Sequence, residues 1–528
     1  MSLKQKVWQG LWTGTVASIV EYIVRIPRMM VVARVLGPEY YGILGIFSVF
    51  REVFGRFVQL GTGDAIIQFL AENKKKQKYK NIKTTIKAAS LIRLITLFIC
   101  ITIFFLYEKQ IVFLVSKLSA VKNLQVHQLQ WLLRLLLLGI TIQALEGPFG
   151  NALQAFQAWK SLFIVRIVGA FVSSTFSIIA AILGFRLLGI VISQQLAFLI
   201  IALLIIYFYL KKIFPLLKNQ KSNFFCVLQH TKNVLRFGLP LLFAQVFRLV
   251  YTYTDQIMLA SLAKGPQALS FYEVARNCAM MLTFIPTLLR SVMFPATAEF
   301  FADKNIRRLE ALFTFMVKHL FWLLLPLAMW MAVLSPIIIK IIAGTKYLQA
   351  AKALAILAIL RIMLSFAVPF FTCLVGAFKR TEYQFIISFS GGLLNVALNA
   401  IWIPKYGYMG AIYATAIGHI LSFSLAYYFL STYMNLRFPF HYMFISIIFG
   451  SLSSCLLFIV SIINKFLLLF FIPIAVTLYL FGIIRFGLFD YQDIEYLSTL
   501  LKPFEKKFNF VFAFMKRYSR PTNPENLL

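Results

Sequence analysis

About fourteen apolar stretches, each of about twenty residues or more, follow one another along this chain, separated by short connections that collect its lysines and turn residues. About twenty apolar residues carry an α-helix across the roughly 30 Å hydrocarbon layer of a membrane. Inside that layer only helices and closed barrels satisfy every backbone group, and runs this long are helical. The spans read near 10–34, 40–69, 86–107, 126–156, 161–183, 187–210, 236–262, 267–297, 310–342, 350–376, 382–403, 409–432, 441–462 and 466–486. Gly37-Pro38, Gly265-Pro266, Gly344-Thr345 and Pro404 to Gly407 mark breaks between them. With 60% hydrophobic residues, 55 Phe and only 13% charged residues, a soluble domain would be left coated in apolar surface. The expected fold class is an all-α polytopic membrane protein.

A net charge of +34 would suggest nucleic acid in a soluble chain. Here the cations sort by connection, and no nucleic-acid partner is expected. One alternate set holds Lys4, Lys6, the run from Lys74 to Lys87, Lys160, Lys211, Lys212, Lys218, Lys221, Lys232, Arg236, Lys304, Arg307, Arg308, Lys379, Arg380, Arg437 and the tail from Lys502 to Arg520. The other holds only Lys109, Lys117, Lys122, Arg186, Lys264, Lys346, Lys405 and Lys465. The first set faces the cytoplasm by the positive-inside rule, and an even span count puts both termini there. A bacterial-type inner membrane is the expected location. Met1 to Gln9 leads into a span with no small-residue cleavage site, so no cleaved leader is expected. The connections on the opposite side are short, the longest being 107–125. Five scattered cysteines and the absence of ligand spacing predict no disulfide and no metal site.

The chain repeats itself weakly. Gly37-Pro38 has a counterpart in Gly265-Pro266, Pro148-Phe149 in Pro369-Phe370, and Leu188-Gly189-Ile190 in Met409-Gly410-Ala411; the last two pairs share one offset. Two lobes of six helices in parallel pseudo-twofold repeat are expected, followed by two more helices. The divisions fall at 1–210 for the N-terminal lobe, 211–235 for a basic cytoplasmic linker, 236–434 for the second lobe, 435–487 for the added helices and 488–528 for a basic cytoplasmic tail.

Polar residues form stripes along four of the spans. Gly14, Ser18, Glu21, Arg25 and Arg28 share one face of the first, and Ser48, Arg51, Gly55, Gln59 and Thr62 one face of the second, with Glu52 and Arg56 beside them. Gln245, Arg248, Thr252 and Asp255 do the same in the seventh, and Glu273, Arg276, Met280, Thr283, Thr287 and Arg290 in the eighth. A charge near the bilayer centre costs at least about 2.5–3.5 kcal/mol, so these stripes are expected to face a polar, cationic cavity. Arg25, Arg28, Arg51, Arg56, Arg248, Arg276 and Arg290 are the candidate contacts for an anionic substrate, because guanidinium groups grip phosphate oxygens bidentately. Glu21 with Arg25 and Glu52 with Arg56 are also i, i+4 pairs that neutralise part of the charge. Asp255 is the candidate coupling site for H⁺ or Na⁺; no other cofactor is expected. Arg93, Arg134 and Arg166 each stand alone in a span, Glu146 precedes Gly147-Pro148, which is expected to break or kink the fourth span, and His319, His419, Asn395 and Asn399 read as structural.

The run Ala33-Arg34-Val35-Leu36-Gly37-Pro38-Glu39-Tyr40-Tyr41-Gly42 resembles the A-R-x-L-G-P-E-x-Y-G signature of polysaccharide and O-antigen flippases, within the multidrug/oligosaccharidyl-lipid/polysaccharide exporter superfamily. Phe237 to Pro240, Asp255, Tyr272, Ala275, Pro295, Asn395, Asn399, Pro404, Gly407, Gly410 and Ala411 are similar too, and the likeness covers residues 1–490. The resemblance implies two lobes around a cation-rich cavity and alternating access. The substrate it implies is an undecaprenyl-diphosphate-linked oligosaccharide, moved from the inner to the outer leaflet without bond cleavage. It also implies membrane lipids, a polysaccharide polymerase and a chain-length regulator as partners. Arg34, Gly37, Pro38, Glu39, Tyr41 and Gly42 carry the signature. Three rival readings are a lipid II flippase, a multidrug cation exporter, which would want more acid than arginine in the first stripes, and a membrane glycosyltransferase, which would want larger external loops.

Overall fold

The computed structural model describes residues 3–221, 223–287, 289–290, 293, 297, 301, 305–378 and 380–486; the side chains of residues 3–19, of positions 376 and 381 and of several positions between 240 and 251, Arg248 among them, lie outside that set. Gly14, Ser18, Pro295, Lys304, Lys379 and the tail 488–528 therefore carry sequence expectations only. Every regular element among the described residues is helical. The chain forms two compact units, the first comprising residues 1–273, 341–347 and 399–411, and the second residues 274–340, 348–398 and 412–528.

The first unit is built on α1 (Leu3–Gln59), which is two helices joined at Gly37. Gly37 has φ 67° and ψ 174°, a conformation essentially reserved for glycine, and Pro38 restarts the helix at the position where a missing N–H costs nothing. After a left-handed corner at Leu60-Gly61 come α2 (Thr62–Lys75), α3 (Tyr79–Leu106), α4 (Glu108–Ser116), α5 (Val126–Ala155), α6 (Trp159–Ile182), α7 (Arg186–Lys212), a single turn α8 (Phe214–Leu217) and α9 (Phe224–Leu262). Ile66, Leu70, Ile82, Ile86, Leu153, Val165, Ile205 and Leu217 close one core across α2, α3, α5, α6, α7 and α8. α1 packs on α6 and α9, and α5 and α6 each pack on α7.

The second unit takes the second half of α10 (Gln267–Met280), then α11 (Ile306–Val333), most of α12 (Ser335–Ile342), α13 (Ala350–Phe371), most of α14 (Thr381–Tyr406) and of α15 (Tyr408–Ser431), α16 (Phe440–Ile463) and α17 (Leu468–Arg485). Its core is aromatic: Phe313, Phe370, Phe423 and Phe438 meet edge to face around Leu309, Met316 and Leu430. α16 lies on α11, where Trp330 donates to Ser453 at 2.9 Å, and Tyr479 of α17 reaches the Trp322 carbonyl at 2.7 Å.

Eleven helical segments among the described residues are long and apolar enough to cross a membrane, and the first of them, Val20–Gln59, contains both arms of α1. Several expected boundaries move. The second span ends at Gln59 rather than near residue 69, because Gly61 (φ 66°) turns the chain and packs directly on the backbone of Gly238. α3 starts at Tyr79, so Lys80, Lys83 and Lys87 ride on its first turns instead of a connection. The connection 107–125 holds α4, and the segment 211–235 holds α8 and the start of α9. No break follows Glu146: α5 runs unbroken through Pro148, whereas its repeat partner Pro369 is followed by a π-helical turn at Thr372–Ala377.

Candidate functional site

Three of the signature residues, Arg34, Tyr41 and Gly42, make packing and hydrogen-bond contacts within the first unit. Gly42 N–H donates to Ser270 Oγ at 2.6 Å, and a Cβ at Gly42 would stand 2.8 Å from that oxygen and 3.0 Å from Ser270 N. Gly45, one turn on, lies against the buried Glu273 carboxylate, which accepts from Gln256. Tyr41 meets the ring of Tyr347 edge on, Tyr347 packs on Phe271, and its hydroxyl donates to the Ala33 carbonyl at 3.1 Å. Arg34 donates to the carbonyl of Ile341 at the end of α12, a helix C-terminus that favours a cation. Glu39 is exposed.

The polar stripes of the two arms of α1 are completed by α6 and α7. Glu21 accepts from Arg25 on its own helix and from Arg166 of α6 at 3.0 Å. Two turns along each helix, Arg28 Nη1 donates to Ser173 Oγ at 3.2 Å. The spacing of seven on both partners makes α1 and α6 run parallel here, the direction that counting alternate spans requires. The Arg51 guanidinium sits over the Phe198 ring of α7, 5.1 Å from its centroid, a cation–π contact. Arg25, Arg28 and Arg51 are close enough to repel one another electrostatically. Arg28 and Arg51 are half-buried, and neither is ion-paired with a carboxylate among the described residues. Arg56 is 3.8 Å from Glu52 and donates to Gln245 Oε1 at 3.4 Å, and the Gln245 amide in turn donates to Asp64 at 2.9 Å.

The structure thus brings Arg25, Arg28, Arg51 and Arg56 into one unit. Arg276 and Arg290 belong to the other, Arg276 donating to Met280 one turn away and Arg290 exposed. Asp255 accepts from Tyr272 Oη at 2.7 Å and from the Asn399 amide at 2.8 Å. Among the described residues no group of three His, Cys, Asp or Glu is placed to hold a metal ion.

Three arginines read as solitary have partners. Arg166 joins Glu21. Arg134 grips Glu108 with two hydrogen bonds of 2.6 and 3.0 Å, and those bonds hold the Glu108 carboxyl below the ordinary carboxylate range. Arg93, 3% exposed, donates to Thr62 Oγ1 at 3.3 Å and the Ala144 carbonyl at 3.5 Å, with Glu146 as its electrostatic partner. Counting charges within single helices misses such pairs, because each partner comes from a different span. The sequence did carry one usable signal: Arg166 and Ser173 lie seven apart and share a face.

Helices of this length and hydropathy define a multi-pass membrane protein. The chain belongs to the polysaccharide biosynthesis protein family, whose model matches residues 7–301. The MatE model matches residues 240–401. An uncharacterized membrane protein of Methanocaldococcus jannaschii is 24% identical over 523 residues, covering 95% of this chain and all of that one. The fold is shared with solved structures of two other membrane proteins. A lipid II flippase, MurJ, in an inward closed conformation superposes with a TM-score of 0.67 at 18% identity, over 88% of this chain and 97% of the other. An inward-facing multidrug resistance MATE transporter follows at 0.64 and 16%, over 78% and 94%.

Proposed function

We propose that this protein flips an undecaprenyl-diphosphate-linked oligosaccharide from the inner to the outer leaflet of a cytoplasmic membrane, by alternating access, in the assembly of a surface polysaccharide. One observation carries the reading: Arg28 and Arg51 are half-buried in membrane-spanning helices, near each other, and neither is ion-paired with a carboxylate among the described residues. Such cations are costly in a bilayer unless an anion joins them. A diphosphate, with a charge on each phosphate, meets that need, and guanidinium forks fit its oxygens. The polyprenyl chain stays in the lipid while the diphosphate and sugars cross through the polar cavity, and no bond breaks. Membership of the polysaccharide biosynthesis family supports a glycan as the cargo.

Both termini lie in the cytoplasm on this reading, a polymerase and a chain-length regulator act on the delivered substrate, and Asp255 couples transport to H⁺ or Na⁺. In a strain lacking the protein, lipid-linked oligosaccharide should accumulate on the cytoplasmic face and clear when the wild type is restored. Restoration to wild-type level by an Arg28→Ala, Arg51→Ala protein would sink the proposal. Accumulation of lipid II instead would reassign the substrate.

A further inference from the structure

Glu21 is held by two guanidinium groups from two different helices, Arg25 and Arg166. An i, i+4 pair within α1 would neutralise Arg25 alone. Arg166 adds a second cation, and Arg28 and Arg51 stand within electrostatic reach of Arg25. Two arginines therefore hold this one carboxylate, and two more stand near the first of them. The Glu21 side chain is 21% exposed, against 60% for Arg25 and 48% for Arg166, so the donors are more accessible than the acceptor they hold. A carboxylate and a phosphate present the same pair of acceptor oxygens to such a clamp.

We infer that Glu21 is a resident surrogate anion: in the unloaded protein it occupies the Arg25–Arg166 clamp that one substrate phosphate takes on loading, which makes Arg166 a substrate-binding residue. This rests on the reading of the arginine group as a diphosphate site. Loading displaces the carboxylate and release lets it return, with no bond made or broken. The exchange keeps the arginines from repelling one another when empty. It also lowers net affinity, so that cargo held by several charged contacts still leaves.

The test uses full-length protein in nanodiscs, with farnesyl diphosphate as the probe and farnesol and inorganic pyrophosphate as the controls for tail and head. Glu21→Gln keeps the size of the side chain and removes its charge; binding should tighten by about tenfold, equivalent to about 1.4 kcal/mol. Adding Arg166→Gln to that variant should reverse the gain. Glu21→Asp, which retains the charge and serves if the glutamine variant does not fold, shortens the reach to Arg166 and should tighten binding by a smaller factor. Suppose Arg28→Ala, Arg51→Ala weakens binding while both Glu21 variants leave it unchanged or weaker. The surrogate role then falls and the diphosphate site stands. Wild-type affinity in the double arginine variant removes both.

Discussion

Replacing Gly37 with alanine separates two descriptions of the first helix by the sign of a stability change. In the structure Gly37 has φ 67° and ψ 174°, and no atom lies within 4 Å of where its Cβ would stand. Crowding therefore contributes nothing, and the cost is that of forcing an L-residue into a region reserved for glycine, about 1–3 kcal/mol. Were Leu3–Gln59 one continuous helix, the same change would stabilise the protein by about 0.8–1.0 kcal/mol, the propensity gap between the two residues. The two accounts differ by about 2–4 kcal/mol. Gly55 is the internal control. It lies within the second arm of α1, has no positive φ and has the same empty surroundings, so Gly55→Ala should be stabilising. Reversible unfolding in mixed micelles, followed by tryptophan fluorescence, reads both. A Gly37→Ala protein as stable as wild type, or more so, would refute the kink and with it the separation of the first two spans.

Gly42→Ala should cost about 1–3 kcal/mol by overpacking, since the new methyl would stand 2.8 Å from Ser270 Oγ and 3.0 Å from Ser270 N, and Ser270→Gly, which removes only the first of these contacts, should relieve part of it. Arg93→Met removes the electrostatic partner of Glu146 together with the hydrogen bonds to Thr62 and the Ala144 carbonyl and should be destabilising, part of the loss being recovered by the further change Glu146→Leu. Because the Arg134 hydrogen bonds depress the Glu108 carboxyl, their stabilisation is present above the ordinary carboxylate pKa and is lost as pH falls through the depressed one. Glu108→Gln should flatten that part of the stability-versus-pH curve, and an unchanged curve would remove the pair from the account. Asp255→Asn should abolish the dependence of transport on Na⁺ or on pH, and full dependence in the variant would move the coupling site elsewhere.

The helical class and the kink at Gly37 were legible because hydropathy and glycine chemistry are local properties of the chain. The i, i+4 pairs Glu21–Arg25 and Glu52–Arg56 were legible for the same reason, since one helix fixes both partners. Arg166 was not, because its partner comes from a helix more than a hundred residues away and its exposure alone suits a snorkelling side chain as well. At Glu146-Gly147-Pro148 the expected break does not occur: a proline inside a membrane helix can be absorbed by packing, and here α5 continues past it with Arg93 lying against Gly147. Arg34, charged and next to the stripe, turned out to cap a distant helix end, which only its contact with the Ile341 carbonyl discloses.

The central claim is that Arg28 and Arg51 receive a diphosphate during transbilayer movement. Its most direct test is a flipping assay with purified protein in liposomes, using a fluorescent polyprenyl-diphosphate-linked oligosaccharide whose outer-leaflet fraction is read with a membrane-impermeant quencher. The wild type should speed exchange well above empty liposomes, and an Arg28→Ala, Arg51→Ala protein, folded by its unfolding transition, should fall back to the empty-liposome rate. Equal rates for the wild type and the double variant, or no acceleration by the wild type, would contradict it.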